Sequence, residues 1–245
     1  MNAQIHDGIP PLFWEEYAEQ RWGQYISAIE EKIIRFAHSQ LVTPTTALEI
    51  GAEGGRWSKL LADLGWRMTC TEIDPVALAV CQQRIPDSRC VLVDLESRDL
   101  PCGNNSQDLI LAIEVHELVE QSWFVDEVGR VLKDGGIFVG VFQNKHSWRA
   151  ALNLKSMLQG TMRHYTAGYL PWKRNMMGRG YRFLREEGIC WMPFGRRSNS
   201  IFVKPATHLE QLLGLRQLTS VSPWIVFAAI KEPARPSDPG ASNER

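Results

Sequence analysis

The sequence predicts an α/β fold: a doubly wound, mostly parallel seven-stranded sheet with an antiparallel last strand, an N-terminal helix and an inserted substrate cap. Three observations support this prediction. Short apolar segments alternate with segments of helical periodicity from residue 45 onward, as in sheets with right-handed crossover helices. A helical pattern precedes this alternation, and a basic, aromatic stretch interrupts it after residue 142.

The composition is that of an ordinary globular protein. Hydrophobic residues make up 44% of the 245 positions and charged residues 22%, which allows a core to be buried. The formal net charge of −1 predicts no polyanion partner for the chain as a whole. The sequence starts without a signal-peptide pattern, and no apolar run approaches the roughly 20 residues that span a bilayer. We therefore expect a cytoplasmic protein.

We divide the chain into three parts. Residues 1–44 form an N-terminal helical segment, with a helix over Trp14–His38, and residues 45–232 form the main domain. An insertion at about 145–185 lies within that domain, and the proline-rich tail at 233–245 is expected to be disordered.

The main domain is predicted to contain seven strands and five helices. The strands are Ala47–Gly51, Arg67–Ile73, Cys90–Leu95, Leu109–Val115, Gly136–Phe142, Ile189–Phe194 and Trp224–Ile230. The helices are Trp57–Leu64, Pro75–Arg84, Ser122–Lys133, Gly180–Glu187 and Leu209–Leu213. Asp74 before Pro75 is an N-cap signal, and Gly135 after Lys133 is interpreted as a helix stop.

The cysteines indicate neither a disulfide framework nor a zinc site. They are odd in number and never spaced as CxxC, so we expect reduced thiols and no metal. The five are Cys70, Cys81, Cys90, Cys102 and Cys190.

Acidic residues and a glycine-rich bend mark the carboxyl edge of the predicted sheet. The first strand runs into Gly51-Ala52-Glu53-Gly54-Gly55, where a ligand can approach the backbone closely. Glu72 ends the second strand, where an acid can accept hydrogen bonds from ribose hydroxyls. Asp94 and Glu114 close the next two strands. Open α/β sheets bind ligands at this edge.

The charges favour a cationic cofactor over a dinucleotide. Glu53 and Arg56 occupy the second and third glycine positions of a GxGxxG motif, and an added carboxylate would repel a pyrophosphate. S-adenosylmethionine, with its sulfonium and ammonium groups, has the opposite preference. Glu49 is placed to meet that ammonium group through water.

Five segments resemble, in order and spacing, the motifs of class I S-adenosylmethionine-dependent methyltransferases of the small-molecule branch. They are LEIGAEGGRW, TCTEIDPVAL, LVDLESRDLP, DLILAIEVHELVE and EVGRVLKDGGIFVGV, within about residues 45–143. The resemblance implies that Glu72 holds the ribose, that Asp94 and Leu95 meet the adenine, and that Glu114 lies beside the methionine end. The predicted cofactor-binding residues are Glu49, Gly51, Gly54, Gly55, Glu72, Ile73, Asp94, Leu95 and Glu114.

One residue departs from the family pattern. Glu53 stands where motif I usually has its middle glycine. We expect a shifted bend in which Gly54 takes over part of that glycine's role. Loss of tight cofactor binding, in a chain that keeps the fold as a non-catalytic scaffold, is the alternative.

His116 is the predicted catalytic base. Methyl transfer needs an aligned nucleophile and exclusion of water, and a base only where the nucleophile carries a proton. His116 lies just beyond the fourth strand; a helix-start histidine bonded to backbone is the alternative reading. Glu117 and His146 are weaker candidates, and Tyr165 and Tyr169 either line the pocket or pack in the core.

The insertion suggests the class of acceptor. No acid occurs from Gly135 to Arg185, while nine basic residues alternate with aromatic and apolar ones. This mixture suits an anionic amphiphile or peripheral contact with a membrane surface, and a solvated basic cap is the alternative. The basic residues are Lys145, Arg149, Lys155, Arg163, Lys173, Arg174, Arg179, Arg182 and Arg185.

We therefore expect methylation of a small or lipid-linked, anionic acceptor, preferentially at oxygen. An RNA methyltransferase that grips RNA with the insertion is the enzymatic alternative. Against it, the chain lacks a separate RNA-binding module, and Glu114-Val115-His116-Glu117 stands where a stacking motif such as Asn-Pro-Pro-Tyr would follow the fourth strand. Nucleic acid is not the expected partner.

Overall fold

The structure, a computed structural model, describes residues 12–41, 45–152, 165–195 and 197–233. Two helices, α1 (Phe13–Glu19) and α2 (Arg21–Gln40), precede a seven-stranded sheet of order β3-β2-β1-β4-β5-β7-β6. The strands are β1 Thr46–Ile50, β2 Arg67–Glu72, β3 Arg89–Leu92, β4 Gln107–Ala112, β5 Leu132–Gln143, β6 Tyr181–Ile189 and β7 Trp224–Lys231. The remaining helices are α3 Arg56–Asp63, α4 Pro75–Arg84, α5 His116–Val119, α6 Ser122–Val131, α7 Trp148–Leu152, α8 Tyr169–Gly178 and α9 Val203–Leu212.

The sheet confirms the predicted fold class. Strands β1 to β5 pair in parallel, and β7 runs antiparallel between β5 and β6. Because β1 pairs with both β2 and β4, the order of the strands reverses at β1. This reversal is the switch point at which open sheets bind ligands.

Each face of the sheet has its own apolar core. One contains the buried face of α2, including Ile29 and Ile33, together with Trp57 and Leu61 of α3. The other is built around aromatic residues of the opposite face, such as Phe138 and Phe227. Helices on both faces hold the strand ends rigidly, so the loops at the carboxyl edge start from fixed positions.

The predicted helix over Trp14–His38 is two helices. The chain turns at Gln20, whose backbone is extended, and α1 folds back against the first turn of α2. Gly23 permits this contact because a Cβ there would lie 1.7 Å from the carbonyl oxygen of Tyr17.

The helix predicted at Gly180–Glu187 is wrong, since Tyr181–Ile189 forms β6. The following strand prediction, Ile189–Phe194, is displaced for the same reason. As an edge strand, β6 carries charged residues that pair with neighbouring elements, for example Glu187 with Lys32 at 2.6 Å. These charged residues obscure the alternation of apolar and polar residues that would predict a strand. Because β6 begins at Tyr181, the insertion ends before this residue rather than at 185.

Gly135 is not a helix stop. Helix α6 already ends at Val131, and Gly135, with φ of 80°, lies inside β5. Between its pairs with Gln107 and Leu109, β5 contains a bulge that holds this glycine. The predicted N-cap is confirmed, because the Asp74 carboxylate accepts the N–H of Val76 at 2.8 Å.

Among the described residues, no helix is both long and apolar enough to cross a membrane. The expectation of disorder over 233–245 falls, apart from Pro233, outside the described residues.

Candidate active site

A cavity of about 400 Å³ lies at the carboxyl edge of the parallel strands. The turns after β1 and β2 and the loop after β3 form its inner walls, and the start of α1 covers it with Phe13 and Trp14. A narrower continuation, which shares Gly51 and Glu53 with the cavity, extends to Glu49 and Glu114. Of the acids expected to form one cradle, Glu72 lines the cavity and Glu49 and Glu114 line its continuation, whereas Asp94 lines neither.

The turn after β1 is a tight bend in which three residues have a left-handed backbone conformation. Gly51, Glu53 and Gly55 have φ values of 66°, 48° and 76°. A Cβ at Gly51 would lie 2.4 Å from Cγ1 of Val115. Glu53 itself takes the left-handed conformation, while a Cβ at Gly54 would lie 2.3 Å from Cδ1 of Leu12, so the expectation that Gly54 takes over part of the middle glycine's role stays a prediction. That conformation costs a non-glycine residue about 1–2 kcal/mol, which the contacts of Glu53 must offset.

Glu53 connects the turn to two other elements. Its N–H donates to Oε2 of Glu72 at 2.8 Å, and its own carboxylate accepts the N–H of Trp14 at 3.0 Å. A carboxylate at this position satisfies one of the amides that the first turn of a helix leaves unpaired. Partial burial raises the pKa of Glu53. The residue thus ties α1 to the turn.

Glu72, the last residue of β2, is held by hydrogen bonds from three backbone amides. Besides the bond from Glu53, its Oε1 accepts the N–H of Ile73 at 2.7 Å and that of Asp74 at 3.2 Å. The buried carboxylate lines the cavity beside the exposed side chain of Ile73. A carboxylate held in this way can receive the hydroxyls of a ribose.

The loop after β3 presents apolar side chains to the cavity. Val93 and Leu95 line it, and the Leu95 side chain is 64% exposed. Asp94, between them, is exposed and accepts the N–H of Glu96 at 2.9 Å. The loop therefore supplies an apolar surface for a flat base, with Asp94 at its rim.

Glu49 lies at the bottom of the narrow continuation. Its side chain accepts a hydrogen bond from the Ser58 hydroxyl and is almost fully buried. Burial raises the pKa of Glu49 to about 8, so the carboxyl group is mainly protonated at pH 7 in the empty protein. A bound ammonium group would favour the ionised form.

Three titratable side chains meet below the end of β4. Oε2 of Glu114 lies 2.8 Å from Nε2 of His116, and the two side chains are 5% and 4% exposed. Glu30 of α2 shares a hydrogen bond with Glu114, and burial, followed by the Glu114 charge, raises its pKa well above the usual value. The Arg56 guanidinium stands 3.6 Å from Glu30. This arrangement favours a protonated Glu30 beside an ionised Glu114.

A second, small chamber lies on the far side of Glu114, between α1, α2 and β7. Trp14, Tyr17, Ile26 and Trp224 supply its apolar walls, with Glu30, Arg56 and Glu114 at the polar end. Its volume of about 20 Å³ holds little more than a water molecule. Trp14, Arg56 and Glu114 also line the continuation of the cofactor cavity, so the two spaces meet there.

The described part of the insertion is not a free basic surface, which corrects the expectation from composition. Arg149 donates to the backbone carbonyl of Cys190 at 2.7 Å. Four of the other basic residues pair with acids that lie outside the acid-free stretch, and composition alone could not reveal these partners. The ion pairs are Lys173–Glu186, Arg179–Asp126, Arg182–Glu232 and Arg185–Glu187, while Lys155 and Arg163 lie outside the described residues.

The aromatic residues of the insertion are mainly part of the core. Tyr169 and Trp172 are buried, and the Tyr169 hydroxyl donates to Glu186 at 2.6 Å. Tyr165 accepts the indole N–H of Trp224 at 2.8 Å and so supports a wall of the chamber. The weaker base candidates Glu117 and His146 are exposed.

Sequence reasoning missed Trp14 and Glu30. Both come from the N-terminal segment, far along the chain from the strand ends that they face. Glu30 had a usable signal, because it lies among Ile26, Ile29 and Ile33 on the buried face of α2. A carboxylate at a position where helical spacing predicts burial is a candidate functional residue.

Residues 48–140 match a methyltransferase domain family. A curated relative from Mycobacteroides abscessus, described as an uncharacterized methyltransferase, is 32% identical over 98 residues, which span 38% of this chain and 38% of that protein. A protein from Galdieria sulphuraria, provisionally named a sarcosine dimethylglycine methyltransferase, has a similar structure, with a TM-score of 0.60, 12% identity and 86% coverage of both chains. A geranyl diphosphate methyltransferase solved with GPP and sinefungin gives a TM-score of 0.58 at 14% identity, covering 85% of this chain and 79% of that one. At these identities the solved structures show a shared fold.

Proposed function

We propose that this chain, of which residues 48–140 match a methyltransferase domain family, is an S-adenosylmethionine-dependent methyltransferase that acts on a hydroxyl oxygen of a small acceptor. The acceptor binds between α1, α2 and β7 with its hydroxyl group at Glu114, where the chamber of about 20 Å³ must first widen by movement of α1. One observation carries the proposal: the buried Glu114 side chain lines both this chamber and the narrow continuation of the cofactor cavity, and its Oε2 lies 2.8 Å from Nε2 of His116.

The residues around the cavity fit the cofactor. Gly51 leaves a space that a Cβ would fill, and Glu72 offers a fixed carboxylate for a ribose. Ile73 and Leu95 supply apolar contacts for an adenine. Glu49 and Glu114 place acidic groups at the other end, where the ammonium and sulfonium charges would lie. When bound, the cofactor supplies an activated methyl group.

The chain's own contribution is positioning, dehydration and removal of a proton. Trp14 and Trp224 form walls of the chamber, so a bound acceptor that fills it displaces water and is held in one orientation. The Glu114–His116 pair takes up the hydroxyl proton as the oxygen becomes nucleophilic. The neighbouring Glu30 adds no second negative charge while it remains protonated.

The walls of the chamber indicate the kind of acceptor. Trp14, Tyr17, Ile26 and Trp224 favour an apolar or aromatic body, and a lipid-linked acceptor also satisfies this requirement. The polar end contains Arg56 beside Glu30 and Glu114, and a protonated Glu30 leaves it without an excess of positive charge that would select an anionic acceptor. We therefore propose a neutral, hydroxyl-bearing acceptor.

Transfer of a labelled methyl group tests this function. The protein is incubated with methyl-labelled S-adenosylmethionine and either an organic-soluble extract of hydroxyl compounds or total RNA. We expect label in the organic-soluble fraction, with much less for Glu114→Gln and an unchanged amount for the exposed control Glu117→Gln. Label in RNA, or no transfer by a sample that binds the cofactor, would contradict the proposal.

A further inference from the structure

Three cysteines from separate elements meet beside the glycine turn. Cys70 lies on β2, Cys81 on α4 and Cys90 on β3, and their Sγ atoms all lie within 4.8 Å of one another. The Sγ atoms of Cys81 and Cys90 are 3.8 Å apart. Cys70 and Cys81 are buried, while Cys90 is half-buried and provides a side open to solvent.

The spacing of the sulfur atoms suits a metal ion. For three atoms that lie within 4.8 Å of one another, a central point exists no more than about 2.8 Å from each. Thiolate–zinc bonds are about 2.3 Å long, and adjacent sulfur ligands of a tetrahedral zinc ion are then about 3.8 Å apart. A shift of about half an ångström per side chain would therefore close three bonds of normal length.

Two serine hydroxyls lie beside the thiols, which otherwise belong to the apolar core on this face of the sheet. The Ser58 hydroxyl lies 3.0 Å from Sγ of Cys70, and the Ser88 hydroxyl lies 3.3 Å from Sγ of Cys90. A thiolate is the form in which cysteine binds metals, and thiolates select soft ions.

We propose that Cys70, Cys81 and Cys90 form a binding site for one thiophilic d¹⁰ ion, with Zn²⁺ as the first candidate. Each thiol loses its proton to solvent as its sulfur–metal bond forms, so three protons leave for each ion bound. A water molecule or one of the two serine hydroxyls completes the coordination.

The site would act on the turn that cradles the cofactor. A Cβ at Gly55 would lie 2.6 Å from Sγ of Cys81, so the turn packs directly on the cluster. The Ser58 hydroxyl contacts both Cys70 and Glu49. A bound ion would join β2, β3 and α4 beneath this turn and raise the melting temperature of the chain.

A cadmium titration of the reduced, chelator-stripped full chain tests the proposal. Cd²⁺ bound to thiolates absorbs in the ultraviolet, and we expect this band to saturate at one ion per chain. X-ray absorption of the zinc form should show three sulfur ligands at about 2.3 Å. Both measurements use the unmodified chain, so they do not depend on the folding of any variant. They are also independent of cofactor binding and methyl transfer.

Single substitutions identify the ligands. Cys70→Ser, Cys81→Ser and Cys90→Ser should each weaken binding by more than about tenfold, whereas Cys102→Ser, outside the cluster, should match the parent. The proposal is overturned if the folded, reduced parent takes up no ion. It is equally overturned if Cys102→Ser removes the band, or if the three thiols only form a disulfide under mild oxidation and never bind metal.

Discussion

Glu53 has a backbone conformation that is uncommon for a residue other than glycine. It adopts a left-handed conformation that glycine would take without strain, yet its backbone N–H and its carboxylate both form hydrogen bonds. Two such bonds are each worth about 1 kcal/mol, which is enough to offset the strain of the conformation. An acid in the glycine turn is therefore compatible with an intact cofactor site.

Cofactor affinity should depend on pH through Glu49. Burial raises the pKa of this carboxyl group to about 8 in the empty protein, and a bound ammonium group must lower it. Binding below pH 8 therefore releases a proton, and the affinity should rise by up to about tenfold per pH unit between pH 6 and 8. Calorimetry over this range measures the slope. Glu49→Gln should flatten it, and a parent protein with no slope would refute this role.

His116→Ala should lower turnover by about a hundredfold or more, because the buried pair with Glu114 loses its second member. The dissociation constant of the cofactor should stay within about twofold of the parent value, since His116 lies on the acceptor side. Steady-state kinetics and calorimetry give the two numbers, with Glu117→Ala as the exposed control on the same helix. Unaltered turnover would remove His116 from the mechanism.

Helix α1 is the element on which access to the site depends. It contains no fully buried residue, yet its first turn covers the cofactor cavity, and Trp14 also walls the acceptor chamber. Its anchors are the Glu53 carboxylate and the ion pair between Glu15 and Arg84, in which Nη2 and Oε2 are 3.1 Å apart. Because the chamber has room for little more than a water molecule, we expect α1 to move away and return during turnover.

Glu53→Gly should loosen α1 without weakening the fold. Loss of the bond to the Trp14 amide removes about 1 kcal/mol from the helix, and its amides should exchange about fivefold faster. The substitution also relieves left-handed strain, so the melting temperature should not fall. Hydrogen-exchange mass spectrometry reads out α1 directly. Glu53→Gln, which keeps an acceptor, and exposed Glu19→Ala are the controls; equal exchange in all of them would show that Glu53 does not hold α1.

At the level of elements, the sequence predicted the parallel half of the sheet well, because β1, β2, β4 and β5 are largely buried and each parallel strand has a helix or turn signal beside it. β6 was missed, since an edge strand with Arg182, Glu186 and Glu187 shows no apolar alternation. The break at Gln20 was also invisible, because it depends on how closely Tyr17 approaches Gly23, a tertiary contact.

For the molecule as a whole, chain order predicted the cofactor edge but not the acceptor side. Successive strand ends must meet at one edge, so Gly51 and Glu72 could be placed together from sequence. The chamber joins residues that are distant in sequence, including Trp14, Glu30, Glu114 and Trp224, and only the packing of α1 and α2 against the sheet brings them together. The three thiols were missed for the same reason, since they come from two strands and a helix.

The most direct test of this account is a calorimetric titration of the folded chain with S-adenosylmethionine, comparing the parent with Glu72→Ala. One cofactor per chain should bind the parent, and saturation at a hundred times the dissociation constant should stabilise the fold by about 2.7 kcal/mol. Glu72→Ala, checked by circular dichroism for folding, should abolish the binding heat. No binding to the folded parent, or equal binding to both proteins, would contradict a cofactor site built on the acids of the strand ends.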